Sequence, residues 1–381
     1  MIALALALAL TAPAHACGGF FCDNVDPVVQ QGERILFRQD GPEMWTTFVE
    51  VQFEGPPSEF AWVVPITVEI DPETQITVAP AGLFDELEDL TAPRFIEESD
   101  LSSADMAVAD MEMGGADCGC RGVNLFGTEM YSYDYDYTLP DTSGVDVVGA
   151  AVVGPYDIEV ITAEDSDNLV NWLQMNGYQM PRAAEAPLAH YIDRGYAFLG
   201  LKLIADVPEG PIDTLVLECG GSEPSIPLEL TAVAAVPDME ITAYVLADER
   251  YVPENFAELA FDYDRVQFTF DGDTDYEPLL IHAIDGEEGG LAWNTEFAAP
   301  ASEVLDELTW STRDALDHGG YFTRFHTFVS PEEMLLDPTF SPDPEAPDLG
   351  NLHVVHSSTA AVAPLALGAL CLLGAVARRR S

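Results

Sequence analysis

From residue 44 the chain alternates, with Trp45, Thr47, Val49, Val51 and Phe53 set against Thr46, Phe48, Glu50, Gln52 and Glu54. A period of two turns one set toward a core and the other mostly toward water, so 44–54 is expected to be a β-strand. Gly55-Pro56-Pro57-Ser58 then supplies turn chemistry, and 59–66 returns as a run that is apolar on both faces. Upstream, 33–38 reads as a third strand, joined through Asp40-Gly41-Pro42. The pattern predicts three consecutive antiparallel neighbours with Val49, Val51, Trp62 and Val64 buried.

Further along, Leu83, Phe84, Leu87 and Leu90 share one helical face. Residues 97–122 are poor in large apolar side chains and read as an exposed excursion around Cys118-Gly119-Cys120. Tyr131, Tyr133, Tyr135 and Tyr137 alternate with polar residues as a strand with an aromatic face. Strands are expected at 145–153 and 156–162, broken at Gly154-Pro155. Asp165 or Ser166 can cap a helix whose face is Leu169, Val170 and Leu173, and Gly177 stops it. A helix at 186–194 precedes strands at 196–204, 212–219, 226–231 and 241–247. Residues 302–317 read as the longest helix of the domain, followed by Gly319-Gly320, a last strand at 321–328 and a helical turn at 331–336. The fold class expected is α+β: mainly antiparallel β-sheets, a few intervening helices, and a C-terminal transmembrane helix.

With 381 residues the chain can hold one large domain or two subdomains. Charge changes the picture more: 14 basic against 67 acidic residues give −53, and Lys202 is the only lysine. That balance argues against a nucleic-acid partner, since phosphate binding needs clustered Lys and Arg. Lysine is depleted along the whole chain, so the acid reads first as a solvated, self-repelling surface like that of proteins from high-salt organisms. Divalent-cation binding is the sharper alternative.

The two ends carry the strongest localisation signals. Residues 2–10 are an unbroken Ala/Leu/Ile run, and Ala14-His15-Ala16 is a small-x-small site, so 1–16 is expected as a signal peptide cleaved before Cys17. No basic residue precedes the run, and a start codon several residues upstream is expected. Lipidation of Cys17 is the lesser alternative, because Ala14 stands where such signals usually carry Leu. Residues 360–377 are 18 positions without a charge, closed by Arg378-Arg379-Arg380. Such a run is just long enough to span a bilayer, with the arginines held on the cytoplasmic side. The proline- and acid-rich residues 341–358 read as a stalk. Stalk, span and arginines resemble the C-terminal sorting tails of bacterial surface proteins of the myxobacterial type. Those tails carry a Cys just before the span, whereas Cys371 lies inside it.

Export makes disulfides the first reading of Cys17, Cys22, Cys118 and Cys120, with three connectivities open. A zinc site built from the four is the alternative. Cys219 is left over and is expected to be free and buried in its strand. Asp271, Asp273, Asp275 and Glu277 alternate as the first ligands of a calcium loop do, but Tyr276 stands where the EF-hand glycine belongs and His282 where its glutamate belongs. The four acids are a weak calcium candidate beside the plainer reading, an acidic turn. Asp314 and His318 share a helical face at i and i+4, and His326 lies nearby in sequence; satisfied histidines are the ordinary reading. No Gly-x-Ser-x-Gly, His-Glu-x-x-His or phosphate-cradling glycine loop is present, so no catalytic or cofactor-binding residue is nominated.

Cys17-Gly18-Gly19-Phe20-Phe21-Cys22, Phe60-Ala61-Trp62-Val63-Val64-Pro65, Leu83-Phe84 and Val153-Gly154-Pro155-Tyr156-Asp157 together form a recognisable pattern. Trp172-Leu173, Gly177-Tyr178, Tyr321-Phe322-Thr323-Arg324 and Asp337-Pro338 extend it. The chain thereby resembles the DUF2330 family over roughly 17–340. The resemblance implies an exported or surface bacterial protein and transfers no activity. The expected protein is a non-enzymatic recognition or structural module outside the cytoplasm, with the membrane as its partner through the tail and its surface ligand unknown. An exported hydrolase with an unrecognised site is the alternative.

Overall fold

A computed structural model describes residues 29–54, 61–67, 70–97, 140–178, 180–204, 213–221, 223–269 and 272–355. β1 (Val29–Gly41) and β2 (Met44–Glu54) pair antiparallel as expected, Ile35 opposite Val49 and Phe37 opposite Thr47. β3 (Ala61–Ile66) does not join them. It pairs with β8 (Ala197–Leu203) in a second sheet, while β2 takes β9 (Leu215–Gly220) and β1 takes β10 (Ala235–Ala247) in parallel.

The first sheet has eight strands and the second four. Beyond β10 the first continues through β14 (Tyr321–Val329), β13 (Ala292–Pro300) and β12 (Ala257–Glu258), and β4 (Ile76–Val78), entered from the one-turn helix α1 (Pro72–Gln75), closes its other edge beside β9. In the second, β8 leads to β7 (Tyr156–Ala163) and β6 (Val145–Val153), a hairpin turned at Gly154-Pro155. Most pairings are antiparallel, and helices are few and short, so the sheet-dominated α+β class holds.

Alternation sorts side chains into layers. On the first sheet, Ile35, Phe37, Trp45 and Val49 face the second sheet, with β9 contributing Leu215 and Leu217. Leu36 and Phe48 face away, into a core with Leu83, Phe84 and Leu87 of α2 (Leu83–Thr91). On the second sheet, Val64, Ile158, Val160 and Leu199 point inward, whereas Val63, Ile161 and Phe198 point outward. The outward set packs on α3 (Ser166–Met175) and α4 (Glu185–Asp193). Helix, sheet, sheet and helix thus form four layers. β2 is therefore buried on both faces, against the half-solvated reading: even Glu50 is 9% exposed, held by Arg34 Nε at 2.9 Å.

Local signals hold where the chemistry is local. Asp165 caps α3, its carboxylate accepting from Asn168 N, and Gly177 at φ 84° turns the chain out of the helix. Two expected elements fail for packing reasons. A strand over 226–231 would put Ile226, Leu228 and Leu230 on one face, yet the first two enter the intersheet core and Leu230 the outer one. A helical turn, α5 (Leu228–Thr231), achieves that split. The single helix expected over 302–317 is cut into α7 (Ser302–Leu305) and α8 (Trp310–Ala315). At the break, Thr309 adopts ψ 156° and donates from N and Oγ1 to the Glu86 carboxylate, both at 2.8 Å, in competition with the helical ladder. The expected helical turn at 331–336 is a plain turn at Pro331 to Glu333.

The segment expected as a stalk lies on the domain as far as residue 355. β15 (Phe340–Pro342) pairs with β11 (Tyr251–Pro253), and the Pro347 carbonyl accepts from buried Arg250. Asn351 Nδ2 donates to the Leu90 and Ala92 carbonyls, both at 2.9 Å. β16 (Leu352–Val355) runs parallel to β5 (Arg94–Glu97). Proline here ends strands instead of spacing a solvated chain. No helix among the described residues is long and apolar enough to cross a membrane. The expected signal peptide, excursion, tyrosine strand and transmembrane tail lie outside the described residues, as do Cys17, Cys22, Cys118, Cys120 and Cys371.

Candidate functional site

Between the two sheets, at the β1–β2–β9 face, the layers part and leave a cleft of about 130 Å³. The floor follows from register. Residues of one parity on β1 (Glu33, Ile35, Phe37) lie opposite Val51, Val49 and Thr47 of β2, and Trp45 follows on the same face. Thr47 and Trp45 in turn stand opposite Leu217 and Cys219 of β9. The roof is Trp62, Val64 and Ile66 of β3. With a strand rise of about 3.3 Å per residue, the floor from Glu33 to Phe37 is about 13 Å long, so the cleft is a slot.

Glu33 is the one carboxylate on this otherwise apolar stretch of floor. It is 4% exposed, and burial pushes its carboxyl up to about 7, against a weak opposing bond from Gln30 Nε2 at 3.3 Å. Trp45 is equally buried, edge-on to Tyr251 at 5.6 Å, and its indole N–H has no hydrogen-bond partner among the described residues. Cys219 is free and only half-buried in its strand. Burial and then neighbouring Glu218 push its thiol up to about 11, which leaves it a poor nucleophile.

One side wall is locked. Asp337 accepts from Tyr191 OH at 2.9 Å on both oxygens and from Glu229 N at 3.1 Å. Arg194 reaches it at 3.5 Å and covers the Tyr191 and Tyr196 rings, 4.9 and 5.3 Å from their centroids. Burial raises the Asp337 carboxyl despite these donors. Cleft and wall join residues from opposite ends of the chain, and nothing in the sequence paired them. The one legible signal was parity: Glu33 shares a strand face with Ile35 and Phe37.

The residues nominated from sequence lie elsewhere. Asp275 accepts from Gln267 N at 2.7 Å and Asp273 from Thr274 N at 2.8 Å, while Glu277 opens α6 (Tyr276–Ile284) and is exposed. Asp271 lies outside the described residues, among which no group of three or more metal-ligating side chains occurs. His318 lies 3.8 Å from Asp248, and Asp314 is exposed.

His326 belongs to a second polar cluster on the opposite face of the eight-stranded sheet. Its Nδ1 lies 2.8 Å from Glu296 Oε1 and its Nε2 3.1 Å from Glu240. Arg324 Nε donates to Glu296 Oε2 at 2.5 Å, and its other nitrogens bond Glu88 and Tyr244 OH. Burial opposes ionisation of Glu296, yet His326 and Arg324 hold its carboxyl down to about 2. Burial likewise opposes charge on His326, but Glu296 and Glu240 outweigh it and push the imidazole up to about 9. Glu296 and Arg324 are each 1% exposed and His326 4%, so the centre of the cluster is closed to a substrate, and only the carboxylates Glu88 and Glu240 at its edge reach the surface. It ties strands and helices together; the cleft is the place where something can bind.

The family described as "Uncharacterized protein conserved in bacteria (DUF2330)" matches residues 11–341. No curated protein and no solved structure matches the chain.

Proposed function

From a chain that belongs to the DUF2330 family of uncharacterized proteins conserved in bacteria, we propose an exported recognition module, held at the cell envelope by its tail, whose ligand enters the intersheet cleft. The observation that carries the binding role is the slot itself: an apolar, aromatic-walled opening with a few polar groups, the usual character of a small-molecule site. Among the described residues its lining includes hydroxyls and a thiol but no histidine, so Ser225 and Cys219 lack an imidazole base there. Export and anchoring are supported by the apolar run at 2–10, the small-x-small site before Cys17, and the uncharged run at 360–377 followed by three arginines. The stretch that carries the resemblance to sorting tails starts, in this reading, after β16.

The test is occupancy. Thr47→Phe fills the slot from the half-buried middle of its floor. A thermal-shift series with hexanol, hexanoate and hexylammonium should stabilise the wild-type domain with at least one compound and leave Thr47→Phe unmoved. If no compound stabilises either protein, the recognition reading fails. Turnover of hexanoate esters that is lost in Ser225→Ala would replace it with the hydrolase alternative.

A further inference from the structure

We propose that the slot takes a small organic ammonium ion, its apolar body lying along the aromatic floor and roof and its cationic head meeting Glu33. The inference rests on reading the cleft as the recognition site and names the class of ligand. The first support is charge. Among the described residues the charged ones lining the cleft are Glu33, Glu223 and Asp337, with no Lys, Arg or His, in a chain of net charge −53. An anionic head group would meet three acids, with Arg194 behind them already engaged by Asp337 at 3.5 Å; a cation meets complementary groups.

The second support is the state of Glu33. Asp337 is already satisfied by Tyr191, Arg194 and a backbone N–H, whereas among the described residues Glu33 has only the long Gln30 contact. No ion pair to Glu33 forms among the described residues, and the residues opposite it on β2 and β10 are Val51 and Ile241. A carboxylate buried on an apolar strand face is costly unless it is neutralised or paired. An ammonium in the slot supplies the pair. Phe37, Trp45 and Trp62 line the same slot, and aromatic faces attract alkylammonium groups. Trp45 adds an indole N–H without a partner among the described residues, a donor for a ligand that carries an acceptor on its tail.

Pairing also predicts a proton linkage. Glu33, raised by burial to about 7, must ionise to meet the cation, so binding releases a proton below that pH. The other titratable groups lining the cleft are Glu223, Asp337, Tyr191, Tyr196 and Cys219. Tyr191 and Cys219 are both pushed up by burial and stay neutral throughout the range used.

The experiment titrates hexylammonium chloride, with hexanol and hexanoate as controls, into the full domain at about 1 M NaCl. At that salt the Debye length is about 3 Å and binding to the acidic surface is suppressed. Calorimetry and tryptophan fluorescence should report one site, with hexylammonium at least about tenfold tighter than either control. Its affinity should rise about 25-fold from pH 5.5 to 7.5, since a carboxyl titrating at about 7 is about 3% ionised at the lower pH and about 76% at the upper. Glu33→Gln, which removes a buried charge and keeps the shape, should abolish both the cation preference and the pH dependence. Equal binding of hexanol and hexylammonium in the wild type overturns the inference and leaves a neutral recognition slot. A cation preference that survives in Glu33→Gln also overturns it. Absence of binding by all three compounds removes the recognition reading as well.

Discussion

Glu296 and His326 sit on neighbouring strands with Oε1 and Nδ1 2.8 Å apart, and each holds the other charged inside the protein. His326 is raised from 6.5 to about 9, so its contribution is fully present below 6.5 and lost as pH rises through about 9. Glu296 is lowered from 4.5 to about 2, so its contribution is present above 4.5 and lost as pH falls through about 2. Urea-unfolding midpoints should therefore fall between pH 6.5 and 9, and His326→Gln should flatten that limb. Glu296→Gln should cost about 3–5 kcal/mol at pH 7, because it strands Arg324 without its buried partner. A wild-type midpoint constant from pH 6.5 to 9 would show that the imidazole is neutral in the fold.

Two tryptophans separate the cores from the cleft. Trp293 is fully buried among Phe325 and Phe340, and Trp293→Ala should cost about 3–5 kcal/mol. Trp62 was expected to be buried in the same way but is half-exposed over the slot, so Trp62→Ala already has an empty side and should cost less than about 3 kcal/mol. Chemical denaturation of both variants checks the order; the reverse order would mean that the slot closes in solution.

Elements were legible where periodicity or a cap fixes them within a few residues. Leu169, Val170 and Leu173 with Asp165 specify α3, and Leu83, Phe84 and Leu87 specify α2. Partners were not legible, because the same alternating strand satisfies any neighbour with an apolar face. β1 pairs with β10 about two hundred residues on, and β3 abandons its hairpin neighbour for β8. Double-sided burial hid for the same reason: Phe48 among polar neighbours looked like the wet face until α2 covered it. The cleft depends on both kinds of long-range choice. It brings Glu33 of β1 and Asp337 into one lining, so only the parity of Glu33 with Ile35 and Phe37 could have hinted at it.

The proposed export predicts the oxidation state of the cysteines. Alkylation in denaturant without reductant should label Cys219, the free thiol of β9, together with Cys371 where the tail is retained, and leave Cys17, Cys22, Cys118 and Cys120 unlabelled. Intact mass reads the number of adducts directly. Labelling of Cys17, Cys22, Cys118 and Cys120 as well would withdraw the disulfides and favour the thiolate metal site, which added zinc would then protect.

Anchoring through the tail predicts a change of fraction. Removing 359–381 leaves β16 and its pairing with β5 intact, so the domain should stay folded. It also removes the uncharged run and Arg378, Arg379 and Arg380. The truncated protein should move from the envelope fraction to the medium. Retention on membranes would transfer the anchoring role to a lipid on Cys17.

Gly200 carries the last prediction, and it concerns how the second sheet meets its helices. A β-carbon there would lie 2.6 Å from the Tyr178 hydroxyl and 2.7 Å from its Cζ. The tyrosine has little room to give. Its hydroxyl donates to Glu159 at 2.8 Å, its ring stacks on Trp172 at 6.3 Å, and Lys202 lies 4.3 Å from its centroid. Lys202 is itself tied to the Asn176 carbonyl at 2.9 Å. The glycine thus lets the turn after α3 lie directly on β8, and Gly200→Ala must push that turn away. The expected loss is about 1–3 kcal/mol from overpacking, with Trp172 fluorescence shifted toward that of an exposed indole. Tyr178→Phe in the same background keeps the ring and removes only the hydroxyl nearest the clash. It should recover part of the loss, and a double variant no more stable than Gly200→Ala would show that the backbone, not the tyrosine, absorbs the added methyl group.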